Sequence, residues 1–310
     1  MFKTLKELMI KLADEKYCRD YVESMRWGGK PVCPHCGEGK PYRLKNGKTF
    51  RCKAKTCKKD FTVTVGTIFE NSKIPLSTWM AAIYICTAHK KGISSVQLAK
   101  DLGVTQKSAW FMWHRIRTML CPTEEPQLTD IVEVDETYVG GKLANMHSKK
   151  RKKITESGKD NKVPVMGLVQ RDGMLYLKVK PDEKQFKDFV HTHVNPEAVV
   201  VTDAHLGYRG LDETHAGHMI VNHSQGEYKV GENYHTNTIE GFFSILKRGI
   251  YGIYHQVSPK HLPRYCEEFA YRYNSRKIKD YQRFENAIAN PDGRLKYKDL
   301  TAKPKKPWER

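Results

Sequence analysis

No stretch of this 310-residue sequence approaches the ~18 uninterrupted apolar residues of a membrane-spanning helix, which excludes such a span. The opening MFKTLKELMIKLADEKYCRDY also lacks the apolar block of a secretory signal. It reads instead as one amphipathic helix with Leu5, Leu8, Met9 and Leu12 on one side. The expectation is a cytoplasmic protein whose eight Cys are reduced thiols or metal ligands, not disulfides. Internal repeats and long low-complexity tracts are absent as well. Acidic residues are scarce beside basic ones, 35 against 54, leaving a formal net charge of +19.

That charge favours a polyanionic partner, nucleic acid first and an anionic membrane surface second, and by itself does not choose between them. The length corresponds to about two domains of ~150 residues. Disorder is excluded by the 10% aromatic content and by apolar residues recurring at regular spacing through most of the chain.

Composition shifts divide the chain. Residues 26–66 combine Gly, Pro, Lys and four Cys with short strand-like pieces at Tyr42–Leu44 and Phe61–Val65. From Pro75 to Leu120 the pattern is helical, and Cys121–Pro126 reads as a linker. From Ile131 the pattern becomes α/β: strands at Ile131–Val139, Val163–Gln170, Met174–Val179 and Ala198–Thr202, and helices near 182–194, Thr238–Ile250 and Lys260–Asn274. The basic stretch HSKKRKKITESGKDNK between the first two strands reads as a mobile loop, and the residues after Asp280 as a poorly ordered basic tail.

Cys33-Pro-His-Cys36 and Cys52-x4-Cys57 form two knuckles fifteen residues apart. Four thiolates at this spacing can converge on one tetrahedral Zn²⁺ with no open position for chemistry. The segment has too little apolar material for a core, so its folding is expected to depend on the metal. A redox Cys-x-x-Cys accounts for only one pair, and His35 could replace one Cys. Cys18, Cys86, Cys121 and Cys266 read as core or neutral thiols. Lys40, Arg43, Lys45, Lys48, Arg51, Lys53, Lys55, Lys58 and Lys59, with Tyr42 and Phe50, tilt this segment towards a phosphate backbone.

Residues 92–120 carry helix-turn-helix spacing. Val96, Leu98, Ala99 and Leu102 mark a first helix, Gly103 ends it, and Thr105 caps a second whose Ala109, Trp110, Trp113 and Ile116 face inward. Gln106, Lys107, Ser108 and Phe111 near its start would read a groove, and His114, Arg115 and Arg117 would contact phosphates. An ordinary three-helix unit uses the same turn.

Acids stand where strands should be apolar. Glu133 and Asp135 share one face of the strand Ile131–Val139, and a second apolar strand delivers Asp203 to its end. On the downstream helix, Ile239, Phe242, Phe243, Leu246 and Ile250 form a buried stripe with Glu240 and Lys247 on its border. Oxygen-rich sites of this kind select Mg²⁺ or Mn²⁺, and two such ions support in-line phosphoryl transfer. Each acid has a structural alternative: Asp203 capping a turn, Glu240 pairing with Lys247 or Arg248, Glu133 binding a nearby Lys. His235 and Asn237 could orient water, substrate or metal, or cap the helix.

The runs Arg26-Trp27-Gly, Cys33-Pro-His-Cys36, Gly66-Thr-Ile-Phe, Lys73-Ile-Pro-Leu, Lys91-Gly-Ile-Ser-Ser-Val-Gln-Leu, Val134-Asp-Glu-Thr-Tyr-Val-Gly-Gly-Lys and His235-Thr-Asn-Thr-Ile-Glu-Gly-Phe-Phe-Ser-Ile-Leu-Lys-Arg resemble bacterial insertion-sequence transposases. The branch is the ISXO-like one, with an N-terminal zinc ribbon and a DDE catalytic domain, and the likeness covers roughly residues 15–278. It implies an α/β catalytic domain of ribonuclease-H-like fold, a mixed sheet flanked by helices, behind a small zinc ribbon and an all-α helix-turn-helix domain. The implied boundaries are 1–25 for an N-terminal helix, 26–66 for the ribbon, 67–125 for the helix-turn-helix, 126–280 for the catalytic domain and 281–310 for the tail.

The resemblance maps the catalytic, Mg²⁺-binding acids onto Asp135, Asp203 and Glu240, and the DNA-contacting position onto Lys247, with Arg248 beside it. Members of the branch differ at the third acid, some having Asn, which makes Asn237 the alternative to Glu240. The implied partners are double-stranded DNA, as transposon ends and target, and further copies of the chain in the active complex, with no membrane. Such a protein would be cytoplasmic and nucleoid-associated when bound. Two other classes fit fewer of the residues: a DNA-binding regulator whose back half is inactive, and a host-retained nuclease that does not join strands.

Overall fold

The structure is a computed structural model describing residues 2–302 except 123, 124, 126, 142, 157–161, 180–185, 228 and 232, and excluding the side chains of 150, 153 and 224. In chain order its elements are α1 (Leu5–Lys11), α2 (Glu15–Trp27), β1 (Tyr42–Arg43), β2 (Phe50–Arg51), β3 (Asp60–Phe61), α3 (Leu76–Ala88), α4 (Ser95–Leu102) and α5 (Gln106–Met119). There follow β4 (Ile131–Val139), α6 (Ser148–Glu156), β5 (Val163–Gln170), β6 (Leu175–Val179), α7 (Phe186–His193), β7 (Val199–Asp203) and β8 (Gly217–Val221). The chain ends with α8 (Asn237–Gly249), which runs into a π-helical turn at Ile250–Tyr254, then α9 (Leu262–Asn274), α10 (Asp280–Ala289) and α11 (Tyr297–Thr301). Among the described residues no helix is long and apolar enough to cross a membrane. The chain divides into two compact units, Met1–Cys121 with Ser275–Arg310, and Pro122–Asn274.

The first unit is built around α3, whose residues from Trp79 to Thr87 are all buried. Its first residue lacks a side-chain cap because Pro75 precedes it; the Glu15 carboxylate supplies the cap, accepting from the Leu76 and Ser77 N–H groups at 3.1 and 2.9 Å. The opening stretch is two helices where one was expected. Asp14 starts the second by accepting from the N–H groups of Lys16 and Tyr17, and Met9 is exposed while Leu8 and Leu12 are buried.

The expected basic tail is, over its described part, helical and packed. Phe284, Ala287 and Ile288 form the buried stripe of α10, and Phe284 meets the rings of Phe2, Tyr21 and Tyr84. Residues 303–310 of that expectation lie outside the described residues.

α4 and α5 follow their sequence signals closely. Gly103 ends α4 with φ +63°, a left-handed conformation that favours glycine, and the Thr105 hydroxyl caps α5 through the Ser108 N–H at 3.2 Å.

The second unit contains a five-stranded sheet in the order β6-β5-β4-β7-β8. β5 pairs antiparallel with both β4 and β6, while β7 pairs in parallel with β4 and β8. One face packs on α8 and α9 through Val165, Ile239, Phe242, Phe243, Leu246 and Phe269; the other carries Val132, Val134, Leu168, Phe186, Val190 and Tyr208. The sheet is therefore mixed and flanked by helices.

The loop expected between β4 and β5 contains α6; its run of Lys and Arg holds no Gly or Pro and is made of good helix formers. Residues 182–185 of the expected helix before β7 lie outside the described residues, and the rest is α7.

Candidate active site and metal centre

The metal centre is assembled by the three-stranded sheet β1-β2-β3. Phe50 and Phe61 stack across β2 and β3 with ring centroids 5.6 Å apart, and Trp27 sets its edge against both. The first knuckle closes with the Gly37 N–H donating to the Cys33 carbonyl at 2.9 Å, the second with the Cys57 N–H donating to Ala54 at 3.0 Å. The ligand atoms of Cys33, Cys36, Cys52 and Cys57 all lie within 4.8 Å of one another. Two of the sulfur pairs, Cys33–Cys57 and Cys36–Cys52, are 3.9 and 3.5 Å apart. A tetrahedron with Zn–S bonds of ~2.3 Å has edges of about 3.8 Å, so the four sulfurs fit one zinc ion. His35 instead sets its ring edge-on to Phe61. Of the basic residues around it, Arg51 is paired with Asp60 and Arg43 with Glu23. Lys45, Lys48, Lys53, Lys55, Lys58 and Lys59 are exposed.

On α5, Gln106 and Lys107 are exposed and Ser108 is half-buried. Gln106 donates to the Ser95 hydroxyl at 2.9 Å, and the Lys107 ammonium lies 5.0 Å from the Tyr297 ring centre. Arg115 and Arg117 correct the sequence reading, and His114 with them: all three are buried. Arg115 donates to the carbonyls of Ile68, Glu70 and Leu295, and Arg117 lies over the Trp113 ring. The second half of α5 is enclosed on all sides, so its cations serve the interior of the first unit and are not available to phosphates.

The acids lie at one end of the mixed sheet. Ile131–Glu133 of β4 pairs in parallel with Val199–Val201 of β7; the pairing ends there, two residues before Asp135 and Asp203 on the same two strands. Asp135 is held well above the ordinary carboxylate range, at about 7. Burial is the main cause, and the charges of Glu136, Asp203 and Glu240 add to it against the Glu136 N–H, which donates to Asp135 at 2.8 Å. Asp135 and Glu240 line one cavity of about 760 Å³, with Lys247, Arg248 and Tyr251 on the α8 side.

Asp203 does not line that cavity; its carboxylate accepts the His205 N–H at 3.1 Å, the turn cap weighed above. Among the described residues the four Cys form the only group of three or more metal-ligating atoms within 4.8 Å, so the acids are neighbours without being closed into a cluster. Glu240 accepts from the Thr236 hydroxyl at 2.9 Å, and its carboxylate lies 3.1 Å from the His223 Nε2, not on Lys247 or Arg248. Asn237, the first residue of α8, is exposed and does not line the cavity.

Sequence reasoning missed the part played by Glu133. It is fully buried on the Asp135 face of β4, and its Oε2 accepts the N–H groups of Thr238 and Ile239 at 2.8 and 3.1 Å. Its Oε1 takes the Thr238 hydroxyl at 2.8 Å and the Arg171 guanidinium at 2.9 Å. His235 joins this group at 3.3 Å, which is where the structure places that accessory candidate. Thr236, at the N-cap, makes no side-chain cap bond. Glu133 thus does the capping from another strand, with its charge at the positive end of the α8 dipole. A buried acid two residues from Asp135 was the signal, and it needed Arg171 to be interpreted.

Glu136 faces the other side and accepts from the buried Tyr208 hydroxyl at 2.7 Å. Gly167, opposite Asp135 on β5, is needed for close approach: a Cβ there would sit 2.7 Å from Ile239 Cδ1 and 3.0 Å from Phe243 Cζ.

Two stretches of the chain are similar to known protein domains. Residues 127–274 match the ISXO2-like transposase domain, and residues 13–60 match the transposase zinc-ribbon domain. A relative described as an uncharacterized protein in transposable element ISH50, from Halobacterium salinarum, is 28% identical over 272 residues, covering 83% of this chain and 90% of the relative. The chain thus carries a transposase zinc ribbon and, after it, an ISXO2-like transposase domain.

Proposed function

We propose that this transposase binds the terminal inverted repeats of an insertion sequence and carries out strand cleavage and strand transfer at the Asp135 end of the sheet. The observation that carries the reading is the cavity that Asp135 shares with Glu240 and Lys247, on a strand paired in parallel with the one that ends at Asp203. Three antiparallel strands followed by two parallel ones support a ribonuclease-H-like fold for this unit. The tight Gly103 turn and the exposed start of α5 support a helix-turn-helix in which Gln106, Lys107 and Ser108 meet the DNA groove.

The donors at the site are hard oxygens, and burial first, with the neighbouring carboxylate charges second, holds the Asp135 carboxyl up to about 7, a cost that a bound divalent cation would offset. Mg²⁺ or Mn²⁺ held by Asp135, Asp203 and Glu240 would supply activation of the attacking oxygen and stabilisation of the leaving one. Lys247 and Arg248 bind the phosphates entering the cavity from the α8 side. Glu133 fixes the first turn of α8 to β4 and so holds Glu240 at a set height against Asp135. In the first step a water oxygen bonds to phosphorus and the 3′-oxygen leaves as a hydroxyl. In the second that 3′-hydroxyl attacks a target phosphodiester, forming a new P–O bond as the target's own 3′-oxygen departs.

The test uses the DNA flanking the element with Mn²⁺ and a labelled 3′ end. Joined product from the wild type, and neither cut nor joined product from Asp135→Asn with end binding retained, is the expected result. Cut ends that are never joined would indicate a hydrolytic nuclease, and normal transfer by Asp135→Asn would remove the assignment.

A further inference from the structure

We propose that α6 is a DNA-holding arm that grips the duplex flanking the scissile phosphate at the mouth of the Asp135 cavity; the arm rests on the strand-transfer reading of that site. β4 and β5 are paired up to Val139 and Val163, and the chain leaves the sheet at Gly140, five residues after Asp135. The root of this excursion is fixed to the cavity wall. The Tyr251 hydroxyl, beside Lys247 and Arg248, donates to the Gly140 carbonyl at 3.1 Å and lies 3.4 Å from the Gly140 nitrogen. Whatever α6 binds is thereby tethered beside the cavity.

The helix is built against its own stability. Residues 149–153 are five consecutive cations, which at 100° per residue spread around the whole helix and leave no apolar face to pack. Lys149, Arg151 and Lys152 are exposed. Like charges at i,i+3, such as Lys149 with Lys152, repel, and cations in the first turn meet the positive end of the dipole. Glu156, 4.0 Å from Lys152, offsets one of them. A polyanion reverses the sign of every one of these interactions. At 1.5 Å per residue the helix is about 14 Å long, close to the ~12 Å width of a major groove, so its cations can bridge phosphates on the two sides of the groove.

The test is the full-length K149Q/R151Q/K152Q variant, with binding of a 40-base-pair random-sequence duplex followed by fluorescence anisotropy across a NaCl series. Loss of three phosphate contacts makes the slope of log K against log[NaCl] shallower by about 2.7 and weakens binding at least about tenfold at 150 mM salt. The melting temperature holds or rises, because repulsion has been removed, and the charge-preserving K149R/R151K/K152R variant keeps the wild-type slope. Nicking of supercoiled plasmid with Mn²⁺ by the glutamine variant falls at 150 mM NaCl and recovers at 50 mM. An unchanged slope, with or without a change in oligomeric state, overturns the arm and would point to an acidic protein surface, even if the wild type nicks DNA. A shallower slope in a protein whose wild type never nicks DNA keeps α6 as a DNA contact and removes the strand-transfer reading instead.

Discussion

Glu133 and Thr238 are 105 residues apart in the chain, yet one carboxylate of Glu133 takes both the N–H and the hydroxyl of Thr238 at 2.8 Å each. This joint ties the strand carrying Asp135 to the helix carrying Glu240 and Lys247. It sits next to the candidate acids without being one of them.

Removing it leaves the Arg171 charge and the N–H groups of α8 without their buried acceptor. Glu133→Ala is therefore expected to lose about 3 kcal/mol of stability in urea unfolding. Glu133→Gln retains one acceptor oxygen and loses less. An alanine variant as stable as the wild type would mean that the joint is idle.

The raised Asp135 carboxyl makes a pH prediction. Its folded value of about 7 lies above the ordinary 3.8, so the folded protein keeps a proton that the unfolded chain has already released. The folded state gains stability from this group as pH falls from about 7 towards 4, and loses it as pH rises. In Mg-free, zinc-replete buffer Asp135→Asn should thus melt above the wild type at pH 8, with the gap narrowing towards pH 5. Divalent-dependent nicking by the wild type should fall about tenfold per pH unit below 7, as the proton competes for the carboxylate. A melting gap that is constant with pH would contradict the shift.

Gly167 sets the distance between α8 and the sheet. Gly167→Ala forces its methyl group against Ile239 and Phe243, and overpacking of this kind costs about 1–3 kcal/mol. Thermal melting measures it. A neutral substitution would show that α8 can shift away at no cost.

The ribbon has an aromatic trio and four thiols in place of a sizeable core. One zinc per chain is expected by elemental analysis, and Cys52→Ser should remove it and unfold the segment around residues 30–61, read as loss of amide protection there. Metal-free protein with that protection intact would contradict a structural role.

Much of this was legible in the residues. The apolar stripe Ile239, Phe242, Phe243, Leu246 foretells the buried face of α8, and Gly103 with Thr105 marks the turn between α4 and α5, because local caps and periodicity specify them. What stayed hidden depends on distant partners. Arg115 and Arg117 look like surface cations until chain from residues 68–70 and 295 closes over Arg115 and Trp113 stacks on Arg117. α10 did carry the stripe Phe284, Ala287, Ile288, but the surrounding charge masked it. The short, largely half-buried strand β8 is defined by its pairing to β7 more than by its own sequence.

The most direct measurement of the central claim is the Mn²⁺-dependent nicking rate of plasmid carrying the element's ends, for the wild type and for Asp135→Asn, Asp203→Asn and Glu240→Gln. Each variant should lose about 100-fold or more while binding the ends with wild-type affinity. Wild-type nicking by any one of the three would contradict a site shared by all of them.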